Sequence, residues 1–444
     1  MKAILLAAGR SKRVKPILDK NFISFCGKYL IEWQVNSLVS AGINEIVIVG
    51  NKYNLEHIQE FAEEFKTVWG DELTIDVTEQ KKLDEGMAGG VMACKEFFDD
   101  GPALIVSSND VVDEAAYASI LSSKDKGTGA LLGYKVDEYF PGGYLKLGHG
   151  DKIEGIVEKP GEGKEPSDYV NIVVHLHNNY EVLFEALKNV KSEKDDRYEV
   201  ALDNLINGGE GYEMVPYEGF WQPLKFPWHV FDLDKYFLKK RSEELEGNPD
   251  YDCVGEAIIH KSAEISDRAV IKGEVIVEEG VRIFENAVVQ GPAYLEEGCV
   301  VGNNALFRDS FAGQGCVVGF TTEIARSHLG DNVWTHSNYI GDSVIGSNVS
   351  FGAGALTANL RLDEADIKWQ GAPSGTNKLG LITGDHIRVG VQTSIMPGLS
   401  IGSNSMIGSG LTITEDIADD EFVYGETTLK RKKNKTDVSS LLRD

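Results

Sequence analysis

Residues 257–308 decide the fold of the second half of the chain, and they read AIIHKSAEISDRAVIKGEVIVEEGVRIFENAVVQGPAYLEEGCVVGNNALFR. A large apolar residue recurs at every sixth position, and a small or β-branched residue stands two positions before each of them. This period fits neither a simple helix nor a flat sheet, but it fits a parallel β-helix in which three six-residue segments close one triangular coil. The positions expected to stack inside the coil are Ile259, Ile265, Ile271, Val277, Ile283, Val289, Leu295, Val301 and Phe307.

The same register returns near the C-terminus, at Val389, Ile395, Ile401, Ile407 and Ile413. We therefore expect a left-handed β-helix of hexapeptide repeats over residues 256–428. A charged, helix-like connector is expected at 239–255, because Gly and Pro at 247–249 punctuate its end. Residues 429–444 form a basic tail, which we expect to be solvated, although it could instead hold a phosphate.

The first 238 residues follow a different pattern. Short apolar runs at 3–8, 45–50 and 103–107 are typical of buried parallel strands. Segments with helical spacing lie between them, at 30–41 and 55–65. This alternation predicts an α/β domain with a Rossmann-like, mostly parallel sheet over residues 1–238.

Composition narrows the function classes. The 444 residues carry a net charge of −26, which repels nucleic acid and anionic membranes, so we expect neither as a partner. The apolar runs are too short to span a bilayer, and no signal-peptide pattern is present, so a cytoplasmic location is expected. Five scattered cysteines without C-x-x-C spacing argue against a zinc site or a disulfide framework.

A small-residue loop follows the first strand. Residues 6–13 read LAAGRSKR, and such a loop lets backbone N–H groups approach phosphates closely. Arg13 and Lys20 could then neutralise a triphosphate. The segment resembles the opening L-A-A-G-x-G-T-R signature of the sugar-1-phosphate nucleotidyltransferases, with Ser11 and Lys12 in place of the usual Gly and Thr.

The resemblance covers essentially the whole first domain and includes E-K-P at 158–160. It implies that a sugar 1-phosphate attacks the α-phosphorus of a nucleoside triphosphate, with Mg²⁺ as cofactor. It also implies roles for individual residues: Arg13 and Lys20 in catalysis; Leu6, Ala8, Gly9, Gln80, Gly86 and Met87 in nucleotide binding; Gly143, Glu158, Lys159 and Asn171 in sugar-phosphate binding; and Asp110 in metal binding.

One departure from the family concerns the second metal ligand, which lies near the end of the domain close to a Trp. Here residues 221–228 read WQPLKFPW and contain no carboxylate. Asp232 is the nearest acidic residue. Either Asp232 replaces the ligand, or metal binding is weakened.

A second motif set lies in the repeat region, where 335–346 read THSNYIGDSVIG and 352–361 read GAGALTANLR. These segments resemble the acetyltransferase half of the bifunctional glucosamine-1-phosphate acetyltransferase/uridyltransferases, most closely the archaeal type. The resemblance implies acetyl-CoA as cosubstrate and a homotrimer. It implies His336 as the general base, Tyr339 and Lys378 as sugar-phosphate contacts, and coenzyme A near Ala353 and Ser409.

The chemistry suits these residue types. A hexosamine is mainly ammonium at neutral pH, and it must lose a proton before it can attack a thioester. A histidine, with an ordinary pKa near 6.5, can accept that proton.

Three functions are compatible with these patterns. The first is a bifunctional enzyme that acetylates a hexosamine 1-phosphate and converts it to a UDP-sugar. The second is a nucleotidyltransferase alone, for example for glucose 1-phosphate with UTP or dTTP, with a purely structural coil. The third is a regulatory subunit that binds sugar nucleotides without turnover.

Overall fold

The computed structural model describes residues 1–124, 127–190, 196–426 and 428–438. Within them the first domain contains a nine-stranded sheet with the order β10-β9-β11-β6-β1-β4-β5, to which β8 adds beside β11 and β12 beside β8. The strands of this domain are β1 (Lys2–Leu6), β2 (Ser24–Phe25), β3 (Lys28–Tyr29), β4 (Glu45–Gly50), β5 (Thr74–Glu79), β6 (Ala103–Ser107), β7 (Asp110–Val112), β8 (Gly129–Lys135), β9 (Gly143–Leu147), β10 (Ile153–Glu158), β11 (Tyr169–His177), β12 (Tyr212–Tyr217) and β13 (Trp221–Pro223).

The central strands are parallel. β1 pairs in parallel with β4 on one side and with β6 on the other, and β4 pairs in parallel with β5. The three apolar runs seen in the sequence are these buried strands, so the predicted fold class is confirmed. The loops that follow their carboxyl ends meet at one edge of the sheet, which is where open α/β sheets bind ligands.

Helices cover both faces of this sheet. α1, α2 and α4 bury apolar side chains against one face, and α3, α5 and α6 against the other. The helices of the first domain and its boundary are α1 (Leu30–Ser40), α2 (Leu55–Trp69), α3 (Gly86–Ala93), α4 (Glu114–Leu121), α5 (Tyr180–Asn189), α6 (Arg197–Asn207) and α7 (His229–Leu245).

The predicted connector is partly helical. α7 runs without interruption past residue 238, so the first half of the 239–255 segment is the end of this helix. The chain then forms β14 (Tyr251–Val254), which pairs antiparallel with the first strand of the coil, β15 (Ala257–His260). Residues 428–438, which include the beginning of the basic tail, are exposed; the remainder of the tail lies outside the described residues.

The second domain is a left-handed parallel β-helix with three sheet faces. Val275 pairs in register with Ala257 below it and Ala293 above it, so each turn of the coil takes three six-residue segments. The strands are β14 (Tyr251–Val254), β15 (Ala257–His260), β16 (Glu264–Ile265), β17 (Val270–Lys272), β18 (Val275–Val277), β19 (Arg282–Ile283), β20 (Val288–Gln290), β21 (Ala293–Leu295), β22 (Val300–Val301), β23 (Leu306–Arg308), β24 (Phe311–Ala312), β25 (Val317–Val318), β26 (Glu323–Ala325), β27 (His328–Leu329), β28 (Tyr339–Gly341), β29 (Val344–Ile345), β30 (Ser350–Phe351), β31 (Leu356–Thr357), β32 (Lys368–Trp369), β33 (Ala372–Pro373), β34 (Ile382–Thr383), β35 (Arg388–Val389), β36 (Ser394–Ile395), β37 (Ser400–Ile401), β38 (Met406–Ile407), β39 (Thr412–Ile413) and β40 (Phe422–Val423).

The six-residue pattern predicted the core of the coil. Val277, Ile283 and Phe307 are fully buried and form one apolar column with the later repeats, while Ile259 and Ile265 at the open end of the coil are partly buried. One segment does not follow the repeat. Val344 pairs directly with Ile382 of the next turn, although 37 residues separate them in the chain. Some of these residues therefore lie outside the stack of repeats.

We call residues 359–380 the bridging loop. It contains the small hairpin of β32 and β33 and packs against the first domain. The two domains also meet along α7, where Leu233 and Phe237 share an apolar cluster with Tyr294 and Phe311 of the first coil face. A buried hydrogen bond joins them as well, because His328 Nδ1 lies 2.9 Å from Asp234 Oδ1.

Candidate functional site

Three asparagines fix the loop that follows β1. The amide of Asn21 donates to the Ala7 carbonyl at 3.1 Å, and that of Asn54 donates to the same oxygen at 3.0 Å. The amide of Asn51 donates to the Ala8 carbonyl at 3.0 Å. With its carbonyls bound behind it, the loop is held in one conformation beside the ends of the parallel strands.

Two predicted catalytic cations lie at this loop. A Cβ atom added at Gly9 would be 3.7 Å from Lys20 Cε, so the lysine side chain lies along the glycine. Burial lowers the pKa of Lys20 to about 8. Ser11 takes the left-handed backbone conformation that glycine would favour, and its Oγ accepts from the Lys20 N–H at 3.3 Å. The Arg13 guanidinium lies 5.7 Å from the centre of the Phe226 ring.

The residues predicted to recognise the base surround Gln80. Its buried amide donates to the Gly86 carbonyl at 2.7 Å, which shapes the turn at the start of α3. Gly86 has a φ of 54°, a value that favours glycine. Met87 and Leu6 are partly buried beside the same apolar cluster of the sheet. The nucleotide-binding predictions therefore converge on the edge formed by β1 and β5.

The predicted sugar contacts also come together. Gly143 pairs with Glu158 across β9 and β10. A Cβ at Gly143 would lie 3.0 Å from Glu158 Oε2 and 3.9 Å from Asn171 Cβ, so glycine leaves the space between these side chains open. Lys159 Nζ lies 2.8 Å from Glu158 Oε1 and is largely exposed.

Asn171 is held by a buried chain of hydrogen bonds that the sequence analysis missed. Its Oδ1 lies 2.9 Å from His175 Nε2, and His175 Nδ1 lies 2.9 Å from the Tyr198 hydroxyl. His177 continues the chain, at 2.8 Å from Tyr198 and 3.0 Å from the Tyr212 hydroxyl. Burial lowers the pKa of His175 to about 3, so this ring is a neutral polar group where it contacts Asn171.

Asp110 lies at the start of β7 and is buried. The Trp221 indole N–H donates to its Oδ1 at 3.4 Å. Burial raises the pKa of this carboxyl, while the neighbouring cations Lys225 and Lys20 oppose that shift. Lys225 and Lys20 thus lie beside this carboxylate, and the charge of Arg13 acts on both lysines.

Lys225 is a functional candidate that the sequence analysis overlooked. Pro223 pairs with Asp110 across β13 and β7, which brings Lys225 to this carboxylate. Its ammonium lies 4.4 Å from the centre of the Phe140 ring. Burial lowers its pKa, and the charges of Asp110 and Glu158 oppose that shift, so it lies between the phosphate loop and the sugar side. Its signal in the sequence is that it is the one cation of the WQPLKFPW stretch at 221–228.

Asp232, the predicted second metal ligand, lies in the first turn of α7 with an exposed side chain, and its charge acts on His229. The cations Lys225 and Lys20 act on Asp110. The role of Asp232 as a metal ligand stays a prediction.

The predicted acetyl-transfer residues occupy one corner of the coil. The Gly354 N–H donates to the His336 carbonyl at 3.3 Å, and the Gln392 N–H donates to the Ala353 carbonyl at 3.0 Å. A Cβ at Gly390 would lie 2.6 Å from Ser409 N, one turn further on. His336, Ala353 and Ser409 are all exposed along this corner. Among the described residues, the His336 ring makes no hydrogen bond.

Tyr339 belongs to a polar network with Asp342 and Asn359. Arg326 donates two hydrogen bonds of 2.7 Å to the Asp342 carboxylate. The Asn359 amide donates to the Tyr339 hydroxyl at 3.2 Å and also contacts Asp342. Asn359, in the TANLR segment at 357–361, is therefore a further functional candidate that the sequence motif alone did not indicate.

Lys378 is exposed at the base of the bridging loop. Its backbone forms an isolated bridge with Leu360, and the Leu379 N–H donates to the Asn359 carbonyl at 3.0 Å. The structure thus brings Lys378 to the Tyr339–Asn359 network, whereas His336 lies at the preceding corner of the coil.

Comparisons with known proteins cover the whole chain. Residues 2–223 match the nucleotidyl transferase family, and residues 253–360 match the GMPPB C-terminal domain. The chain is 35% identical over 447 residues to bifunctional protein GlmU of Methanococcus maripaludis strain C7, which covers 98% of this chain and 100% of that one. It is 30% identical over 436 residues to a bifunctional sugar-1-phosphate nucleotidylyltransferase/acetyltransferase of Sulfurisphaera tokodaii, with 95% and 99% covered.

Proposed function

The chain belongs to the family of bifunctional sugar-1-phosphate nucleotidylyltransferase/acetyltransferases, and from this premise we propose that it carries out both reactions. A hexosamine 1-phosphate is acetylated at the coil with acetyl-CoA, and the first domain then converts the product to UDP-N-acetylhexosamine with release of pyrophosphate. The observation that supports this proposal most directly is a cluster in which Lys20 and Lys225 act on Asp110 and Arg13 acts on both lysines.

In the first domain the protein positions two anions and neutralises charge. The sugar-phosphate oxygen attacks the α-phosphorus, and the bond from that phosphorus to the pyrophosphate oxygen breaks. Arg13, Lys20 and Lys225 bind phosphate oxygens whose charge grows during this step. Gln80 and Gly86 orient the base, and Glu158 with Asn171 orients the sugar.

The residues fit a magnesium ion that the nucleotide brings with it. Among the described residues, no three His, Cys, Asp or Glu side chains come together as a metal cage. Magnesium, however, is commonly held by one or two carboxylates together with substrate phosphates, and Asp110 supplies one carboxylate. When bound, the ion would neutralise phosphate charge.

At the coil, His336 accepts a proton from the hexosamine ammonium. The freed amine attacks the thioester carbonyl of acetyl-CoA, so that the C–N bond forms as the C–S bond breaks. The excess proton of the attacking nitrogen passes to the departing sulfur, and coenzyme A leaves as the thiol. Lys378 binds the sugar phosphate beside Tyr339 and Asn359. Ala353 and Ser409 line the corner along which coenzyme A lies. A homotrimer, as is usual for such coils, would complete this corner with a neighbouring subunit.

One observation favours a second candidate, in which the first domain binds sugar nucleotides without turnover. Lys225 acts on Asp110, and the stretch 221–228, where the family has its second carboxylate, contains none. A product screen separates the two functions: purified protein, Mg²⁺, UTP or dTTP, and several sugar 1-phosphates, with and without acetyl-CoA. Pyrophosphate release supports catalysis, whereas sugar-nucleotide binding without release supports the second candidate.

Substitution of His336 tests the assignment of two separate sites. His336→Ala should abolish thiol release from acetyl-CoA while leaving pyrophosphate release nearly unchanged. His386→Ala is a matched control, because His386 is an exposed histidine at a different corner of the same coil. If both activities fall together in His336→Ala, or if neither falls, the two-site assignment is wrong.

A further inference from the structure

The bridging loop belongs to the coil by sequence but reaches the nucleotide site of the first domain. At its base the bridge between Leu360 and Lys378 joins the two ends of the loop, and the Gly380 N–H donates to the Asp342 carbonyl of the coil at 2.7 Å. At its tip the hairpin of β32 and β33 lies against the segment that follows the phosphate loop.

Trp369 makes the main polar contact. Its side chain is 2% exposed, and its indole N–H donates to the Arg13 carbonyl at 3.1 Å. The Gln370 amide donates to the Lys15 carbonyl at 3.4 Å. Two neighbouring residues of the coil domain thus bind the backbone on both sides of Val14.

Apolar packing fixes the same contact. Ile367, Trp369 and Leu379 of the bridging loop share a buried cluster with Leu224 and Val230 of the first domain. Phe226 packs against this cluster, and its ring lies beneath the Arg13 guanidinium. The backbone and the side chain of Arg13 therefore rest on groups that the bridging loop holds in place.

We propose that the bridging loop is a working part of the nucleotidyl-transfer site and that Trp369 is the positioning residue that fixes Arg13 for the triphosphate. The inference rests on the proposed function in assigning Arg13 to the triphosphate. Asn359 and Lys378 at the base of the loop lie in the acceptor network of the coil, so one segment contacts both sites. The nucleotidyl site then depends on the second domain for its geometry.

The test compares two Trp→Phe variants of the full-length chain. Trp369→Phe removes the N–H that binds Arg13 and keeps an aromatic ring. Trp33→Phe is the matched control, because the Trp33 indole also donates to a backbone carbonyl, that of Phe25 at 2.8 Å, and lies in the same apolar cluster. Melting temperature, UTP binding by calorimetry, kinetics of pyrophosphate release, and thiol release from acetyl-CoA are measured for each protein.

We expect Trp369→Phe to weaken UTP binding and raise the KM for UTP about fivefold, the factor of one ordinary hydrogen bond. Thiol release should stay at the wild-type rate. Trp33→Phe should lower the melting temperature to a similar degree and leave UTP binding unchanged. Gln370→Ala, at an exposed position, should weaken UTP binding by a smaller factor.

The inference is overturned if Trp369→Phe binds UTP as the wild type does, or if the two Trp→Phe variants change UTP binding equally. Failure of the proposed function looks different, because the wild-type protein would then release no pyrophosphate with any sugar phosphate tested. Calorimetry needs no turnover. It therefore measures the effect of Trp369→Phe on UTP binding even if the protein releases no pyrophosphate.

Discussion

At the scale of single residues, Lys225 gives the first domain its unusual electrostatics. The half-buried ammonium of Lys225 acts on Asp110, and the stretch 221–228, in which a second carboxylate was expected, contains none. The site therefore carries one acid and three neighbouring cations, Lys20, Lys225 and Arg13. Such a site attracts polyphosphate through the protein's own charges. UTP binding should therefore persist when Mg²⁺ is removed with EDTA.

Lys225→Gln should weaken UTP binding in EDTA by about 10- to 100-fold, because hydrogen bonds to charged groups contribute more than neutral ones. Lys225→Arg should retain most of the affinity. Lys66→Gln is a suitable control, since this lysine pairs with Glu63 on the surface of α2. Equal UTP affinity in Lys225→Gln and the wild type, measured by calorimetry, would remove Lys225 from the phosphate site.

At the scale of elements, β11, α6 and β12 are joined by the buried chain from Asn171 to Tyr212. His175 has a pKa of about 3 in the folded protein, and a histidine in the unfolded chain titrates near 6.5. Between these values the unfolded state binds more protons. The free energy of unfolding should therefore fall as the pH is lowered from 6.5 towards 3.

For His175 this loss is about 2 kcal/mol at pH 5. His175→Gln keeps a polar side chain that does not titrate, so the difference in unfolding free energy between pH 7 and pH 5 should shrink. Urea denaturation at the two pH values measures it. His386→Gln, at an exposed histidine, should leave the difference unchanged. An unchanged difference in His175→Gln would contradict the neutral state of the buried chain.

At the scale of the whole molecule, the interface between the domains contains carboxylates that lie close together. Glu296 lies beside Gly27 of the first domain, and burial raises its pKa to about 8, with Asp331 and Glu278 adding to the shift. The folded state thus binds more protons than the unfolded state between about pH 4.5 and 8. The contribution of Glu296 to the free energy of unfolding therefore falls as the pH rises from about 4.5 to 8.

Glu296→Gln mimics the protonated acid and should remove this loss. The variant should melt at a higher temperature than the wild type at pH 8.5, and this difference should nearly vanish at pH 4. Glu279→Gln is the control, because Glu279 is an exposed glutamate of the same coil. Identical melting temperatures of Glu296→Gln and the wild type at pH 8.5 would show that the carboxylate is already solvated.

The repeat and the buried strands were predictable because each is a local pattern, as Val277 and Phe307 illustrate. The loop after β1 was predictable for the same reason. Lys225 and Trp369 were not, since their partners Asp110 and Arg13 are distant in sequence and meet only through folding. The bridging loop has no hydrophobic periodicity from which its position could be predicted.

No part of the chain in which the structure is described forms a helix long and apolar enough to cross a membrane.

Because Val344 pairs directly with Ile382, the bridging loop leaves and re-enters the coil between adjacent turns. Additional residues inserted in this loop would therefore leave the strand pairing of the β-helix intact. Gly371 and Gly375 beside the hairpin have open space around them. A fluorescent dye attached between these two glycines would lie close to Trp369. A change in its fluorescence would then report the binding of a nucleotide.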